Sequence, residues 1–158
     1  MADSPLVSVH VPKTAGTSFQ LVLQQIAGNG LWLDDRVPAE PPDWATCIHG
    51  HTTASHRLQQ FPDAPLICWL RHPVDRIVSH YRYWAERPDP NHPLCVRMHE
   101  ERMDVVAFAW MLPDVQRDLV DVELGRFDFV GIVEQIELSV HVFRKLLGRG
   151  RFQMPWVN

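Results

Sequence analysis

The sequence predicts an α/β fold with a mainly parallel central sheet flanked by helices. Short apolar runs alternate with stretches of helical periodicity, and turn-forming residues separate the two. Leu6 to Val11 reads as a short buried strand. Phe19, Val22, Leu23 and Ile26 then recur at i, i+3, i+4 and i+7, a helical stripe that stops at Gly28-Asn29-Gly30. Val37 to Trp44 is rich in proline and reads as an exposed, irregular loop. Ala45 to Ile48 is the second expected strand, ending at His49-Gly50-His51, and a polar helix is expected over Thr53 to Gln60. Pro65 to Leu70 is a third strand, buried by its composition, and Arg71-His72-Pro73 closes it.

Asp75 to Glu86 reads as a helix whose inner face carries Ile77, Tyr81 and Trp84, and Arg87 to Pro93, with three prolines, as a loop. Val105, Phe108, Ala109 and Leu112 mark a further helix stopped by Pro113, and Val115, Leu119 and Val122 another. Phe127 to Val133 is the fourth strand. Glu134 to Leu147 is the terminal helix, with acids in its first turn, Arg144 and Lys145 in its last and Gly148 as its stop. No internal repeat or low-complexity tract interrupts this order. The 158 residues fit one domain, 1–158, with room for a real core.

The formal net charge of −4 argues against a general nucleic-acid binder, which would show a basic face, and gives no global attraction for a polyanion. The longest apolar run, Val105 to Leu112, is far too short to cross a bilayer, and no hydrophobic leader precedes Leu6, so no membrane association is expected. Cys47, Cys68 and Cys95 form an odd set without metal-like spacing. Reduced thiols in a cytoplasm, that of a bacterium, are the simplest reading.

Three segments carry chemistry. His10-Val11-Pro12-Lys13-Thr14-Ala15-Gly16-Thr17-Ser18 lies between the first strand and the first helix. Small residues, hydroxyls, one lysine and the free N–H groups of a helix start are what a phosphate or sulfate group requires. The competing reading is an ordinary capped helix with Thr14 or Gly16 at its N-cap. The lysine precedes the glycine, so the run is not a Walker A loop. The second segment, Trp69 to Tyr81, places Arg71 at the C-terminal edge of a strand and Ser79 two turns into the following helix. A guanidinium and a hydroxyl converging there suit a dianionic phosphate monoester; the bland alternative is a strand-end arginine and a solvent-facing serine. The third, His49-Gly50-His51, follows a strand end between the other two, and a neutral imidazole suits removal of a hydroxyl proton. A metal pair completed by His56 lacks a well-spaced carboxylate or cysteine; a purely structural role for one histidine stays open.

The order Pro-Lys-Thr-x-Gly-Thr-Ser after a strand resembles the phosphosulfate loop of sulfotransferases that use 3′-phosphoadenosine 5′-phosphosulfate (PAPS). The preceding His-Val narrows the resemblance to the carbohydrate branch that includes the heparan sulfate 2-O-sulfotransferases, where the run usually reads His-Ile-Pro-Lys-Thr-Gly-Gly-Thr. The resemblance implies a P-loop-like three-layer fold and a PAPS site made of Pro12, Lys13, Thr14, Ala15, Gly16, Thr17 and Ser18 at the phosphosulfate and of Arg71 and Ser79 at the 3′-phosphate. It further implies His51 as catalytic base, His49 as its helper or a substrate contact, and Lys13 as the cation at the departing oxygen, with no metal. The expected partner is a hydroxyl-bearing acceptor, a carbohydrate or a related small metabolite.

This chain departs from the pattern at Ala15, where glycine is common, and at His72, where the family usually has aspartate. Alanine is unstrained at position 15 only if φ there is negative. Phe127 to Glu134 resembles the family's Phe-Val-Gly-x-Thr-Glu turn, and Phe152 to Asn158 stands where relatives lead into a further basic segment, which the chain is expected to lack. Two other functions remain at this point: a nucleotide-binding module without turnover, and a kinase-like P-loop enzyme, although neither anion segment offers a magnesium carboxylate beyond Asp75.

Overall fold

The computed structural model describes residues 4–34 and 40–147. Five strands, β1 (Leu6–Val9), β2 (Leu31–Asp34), β3 (Cys47–Gly50), β4 (Leu66–Leu70) and β5 (Phe129–Ile132), form one sheet in the order β2-β3-β1-β4-β5. Every pairing is parallel, and β1 lies at the centre with Val9 opposite both Gly50 of β3 and Cys68 of β4. Strands covered on both faces read as unbroken apolar runs, which is why Leu66 to Leu70 shows no polar alternation.

The side chains nonetheless divide by face. Cys47, Ile67, Trp69 and Phe129 pack under α1 (Gly16–Ala27) and α7 (Ile136–Leu146) with Phe19, Val22, Leu23, Val140 and Phe143. Val7, Val9, Ile48, Leu66 and Cys68 face the other way, toward Ala54 of α2 (Ala54–Gln60) and Leu119 of α6 (Val115–Leu119). The result is the expected three-layer α/β arrangement. A satellite core of Trp84, Cys95, Met98 and Phe108 joins α3 (Pro73–Glu86), α4 (Pro93–Glu100) and α5 (Val105–Met111), with Ile77 and Tyr81 packed against it.

Two elements were not expected. β2 follows the Gly28-Asn29-Gly30 stop directly and, at four residues, is too short for strand periodicity to announce it. Its last residue, Asp34, is buried and pairs with buried Arg57 at 2.5 Å, while the Thr52 hydroxyl donates to the same carboxylate oxygen. α4 begins at Pro93, the last residue of the expected loop, with proline in the first turn as helices tolerate it. Strands β1 and β5 are shorter than expected, and the terminal helix opens with a 3₁₀ turn over Val133–Gln135. The start of the proline-rich loop, the Gly148 stop and the Phe152 to Asn158 segment lie outside the described residues.

Cys47, Cys68 and Cys95 are buried free thiols, and burial pushes the first two up to about 12. Among the described residues no helix is long and apolar enough to cross a membrane.

Candidate functional site

The loop from Val11 to Ala15 leaves the C-terminal end of central β1 and turns directly into α1. Its backbone is left-handed at two non-glycine positions, Lys13 (φ 68°) and Ala15 (φ 63°). Left-handed residues interleaved in this way curl amides toward one side, the geometry of an anion-binding nest. Ala15 is also the N-cap of α1 and has no polar side chain to bond the N–H groups of the helix's first turn, which carry the positive end of the helix dipole. The Thr14 hydroxyl is turned inward and donates to the Val11 carbonyl at 2.8 Å. Position 15 therefore takes the conformation that glycine adopts freely and alanine does not. Ala15→Gly is expected to stabilise the fold by about 0.5–1 kcal/mol, relief of left-handed strain outweighing the greater entropy of unfolded glycine; a lower urea midpoint for the variant would contradict it.

Across the cleft, Arg71 directly follows the end of β4 and α3 begins at Pro73. The Arg71 guanidinium donates from Nη1 to the Lys13 carbonyl at 3.4 Å, and its backbone N–H donates to Gln116 Oε1 at 3.1 Å. Glu134 Oε1 lies 4.0 Å from Arg71 Nε and accepts from the His72 N–H at 2.9 Å. His72 is the N-cap of α3 but makes no side-chain cap bond, so Glu134, arriving from the end of β5, satisfies the backbone at this strand-to-helix junction.

Between these walls runs a cleft of about 810 Å³. Of the residues singled out in the sequence, Pro12, Lys13, Ala15, Gly16, Thr17, Ser18, His51, Arg71 and Ser79 line it. Thr14 and His49 do not, since both are buried beneath it. The cleft also takes Asp75, the carboxylate already noted in the sequence, and Arg82, Tyr83, Glu86 and Arg87, which sequence reasoning missed. Their signal was the helical spacing from Asp75 through Ser79, Arg82 and Tyr83 to Glu86, which puts one continuous stripe of α3 on the cleft. Burial, then Arg71 and Arg87, pulls Lys13 below the ordinary lysine range, and Glu86 pulls it back.

The three histidines form a ladder. His10 stacks on His49 with centroids 4.8 Å apart and on His51 at 4.4 Å. Gly16 permits this, because a Cβ there would overlap the His10 ring; at Gly50 it would strike the Asp34 backbone. His51 Nδ1 lies 2.7 Å from the His10 carbonyl. A carbonyl only accepts, so Nδ1 bears the hydrogen, and in the neutral ring Nε2 keeps a free lone pair. His49 sits 2.9 Å from the Ser8 hydroxyl through Nδ1. Among the described residues no three His, Cys, Asp or Glu side chains are grouped to hold a metal ion.

Burial pushes His10 down to about 2 and His49 down to about 4, with neighbouring imidazoles adding to the effect; burial also takes His80 down to about 4. Their folded values lie below the unfolded value near 6.5, so the unfolded chain takes up protons first. Stability is therefore full above about pH 6.5 and falls as pH drops toward 4, by about 1.4 kcal/mol per unit for each such group. Urea midpoints at pH 7, 6 and 5 should decrease in that order; a flat series would contradict the burial of neutral imidazoles.

No protein-family model matches the chain, and no curated protein matches it by sequence. Among solved structures, the crystal structure of mouse sulfotransferase SULT7A1 complexed with PAP superposes on 97% of this chain with a TM-score of 0.56 and 14% identity. A sulfotransferase from Alicyclobacillus acidocaldarius superposes on 96% with a TM-score of 0.53, also at 14% identity. The chain has the sulfotransferase fold. It spans 61% of the length of the mouse protein and 84% of the bacterial one. Within the sulfotransferase fold observed here, the strand-loop-helix unit after β1 and the Arg71-to-Ser79 unit after β4 flank one cleft at the carboxyl edge of the sheet, where ligands gather in open α/β folds.

Proposed function

We propose that this chain is a PAPS-dependent sulfotransferase acting on a hydroxyl of a carbohydrate or a related small metabolite. The observation that carries the proposal is the meeting of two anion-binding elements 58 residues apart in sequence: the Arg71 guanidinium bonds the Lys13 carbonyl, and both residues line the same cleft. Two separate cationic ends suit a nucleotide charged at both its 5′ and 3′ positions better than a triphosphate. PAP, the desulfated form of PAPS, is present in the mouse neighbour. The carbohydrate acceptor follows from the resemblance of the His10 to Ser18 run and the His-Gly-His element to the heparan sulfate 2-O-sulfotransferase branch.

In this reading the amides of Pro12-flanked Lys13 through Ser18 hold the phosphosulfate, Thr14 contributing its backbone because its hydroxyl is engaged by Val11. Arg71 and Ser79 hold the 3′-phosphate. His51 Nε2 takes the acceptor's proton as the acceptor oxygen bonds to sulfur and the bond from sulfur to the bridging oxygen breaks. Lys13 offsets the charge left on the phosphate. His10 fixes the His51 ring through its carbonyl and its face, and His49 supports His10 from beneath, a helper acting through a neighbour. Catalysis by positioning and charge, without further covalent chemistry, is what anionic group transfer requires.

Calorimetry with PAP, followed by transfer of labelled sulfate from PAPS to a panel of sugars and alcohols, tests the reading. Tight PAP binding with transfer is expected. PAP binding without transfer to any acceptor would leave a nucleotide-binding module, and magnesium-dependent ATP binding with no preference for a 3′-phosphate would overturn the proposal.

A further inference from the structure

Lys13 is held in the cleft by a residue on the opposite wall. Its Nζ stands 3.9 Å from the centroid of the Tyr83 ring, and the guanidinium carbon of Arg87 lies 5.6 Å from the same centroid. A cation within about 6 Å of an aromatic face is attracted by the ring quadrupole. That attraction opposes the surroundings: burial, Arg71 and Arg87 disfavour the charged lysine, and Glu86 favours it. A lysine side chain has a long, freely rotating stem and swings to water when repelled. Here it does not.

We propose that Tyr83 is the positioning residue for Lys13, its ring a seat that keeps the ammonium inside the cleft against two guanidinium groups. The ring engages the ammonium electrostatically and leaves N–H donors free for an anion. Because Tyr83 is on α3, one turn beyond Ser79, the contact ties the loop after β1 to the helix after β4 through side chains as well as through Arg71. The contact itself stands without the sulfotransferase reading; its effect on nucleotide binding rests on that reading.

Two arms separate these. The chain has two lysines, Lys13 and Lys145, so reductive ¹³C-methylation, which keeps the charge, yields two lysine side-chain signals. The Lys13 signal should be displaced upfield by the ring in wild type and Tyr83→Phe, and return to the ordinary position in Tyr83→Leu. An unchanged signal in Tyr83→Leu overturns the seat. In the second arm, Tyr83→Leu should weaken PAP binding about 3- to 30-fold and Tyr83→Phe by less than about 2-fold, whereas in a Lys13→Ala background Tyr83→Leu should add nothing. A loss that persists without the lysine, or an equal loss in Tyr83→Phe, overturns the positioning role. Failure of wild type to bind PAP sinks the sulfotransferase reading and leaves the first arm decisive for the seat. Tyr83 is 41% exposed, and Tyr83→Gln repeats both arms should Tyr83→Leu not fold.

Discussion

His51→Ala is expected to lower the rate of sulfate transfer by about 10²- to 10⁴-fold, the usual contribution of a positioned general base. PAP affinity should stay within a few-fold of wild type, because the proposed duty of His51 is toward the acceptor's proton and not toward the nucleotide. The asymmetry follows from the ring's own bonding. Nδ1 is committed to the His10 carbonyl, which leaves Nε2 as the basic atom on the cleft. Labelled-sulfate transfer and PAP calorimetry on the same preparations check both halves. Turnover within about 3-fold of wild type would remove His51 from the mechanism, and a parallel collapse of PAP binding would make it a nucleotide contact instead. His49→Ala, which empties space beneath His10, should act chiefly on stability, since His49 does not line the cleft.

Asp34→Ala is expected to destabilise the fold by about 3–5 kcal/mol, because it removes the carboxylate that pairs with the buried Arg57 guanidinium. Arg57 retains Gln60 at 2.6 Å and Thr52 at 3.3 Å, and its guanidinium carbon lies 5.4 Å from the centroid of the Trp32 ring. None of these replaces a carboxylate. Replacing both partners together by leucine and methionine should restore most of the loss, as apolar substitutes for a buried pair usually do. Urea denaturation of the single and double variants measures this. A single-variant loss below about 1 kcal/mol would show that the pair is compensated elsewhere. The Asp34 carbonyl also accepts from the His51 N–H at 3.2 Å, so slackening at β2 should reach the candidate base and lower transfer as well.

What was legible in the sequence was local. The strand before Pro12, the stripe on α1 and the Arg71-to-Ser79 spacing each show within a dozen residues, and together they place the two elements proposed to bind anions. β2 was not legible, because its decisive contact joins Asp34 to Arg57 across 23 residues and no pattern in Leu31 to Asp34 announces it. The left-handed turn at Ala15 was hidden for a different reason. Alanine carries no signal for positive φ, and only the direct passage from β1 into α1 demands it. Tyr83 reads as an ordinary helix-surface residue and Arg87 as the start of a loop until the fold sets them beside Lys13. His49 and His51 look equivalent in His-Gly-His. His49 lies within β3 and is buried, whereas His51 follows the strand's end at Gly50, where strand alternation no longer governs it, and lines the cleft.

The pairing of Val9 with Cys68 has a consequence for how this protein tolerates change. β1 and β4 are hydrogen-bonded neighbours, so the loops that leave them depart from points about 4.8 Å apart, a separation set by backbone geometry. The gauge between the two cationic ends is thus written into the main chain and is indifferent to side-chain turnover in the layers above and below. Under the proposed function, variation on the acceptor side would retune selectivity while the grip on the carrier stays in calibration.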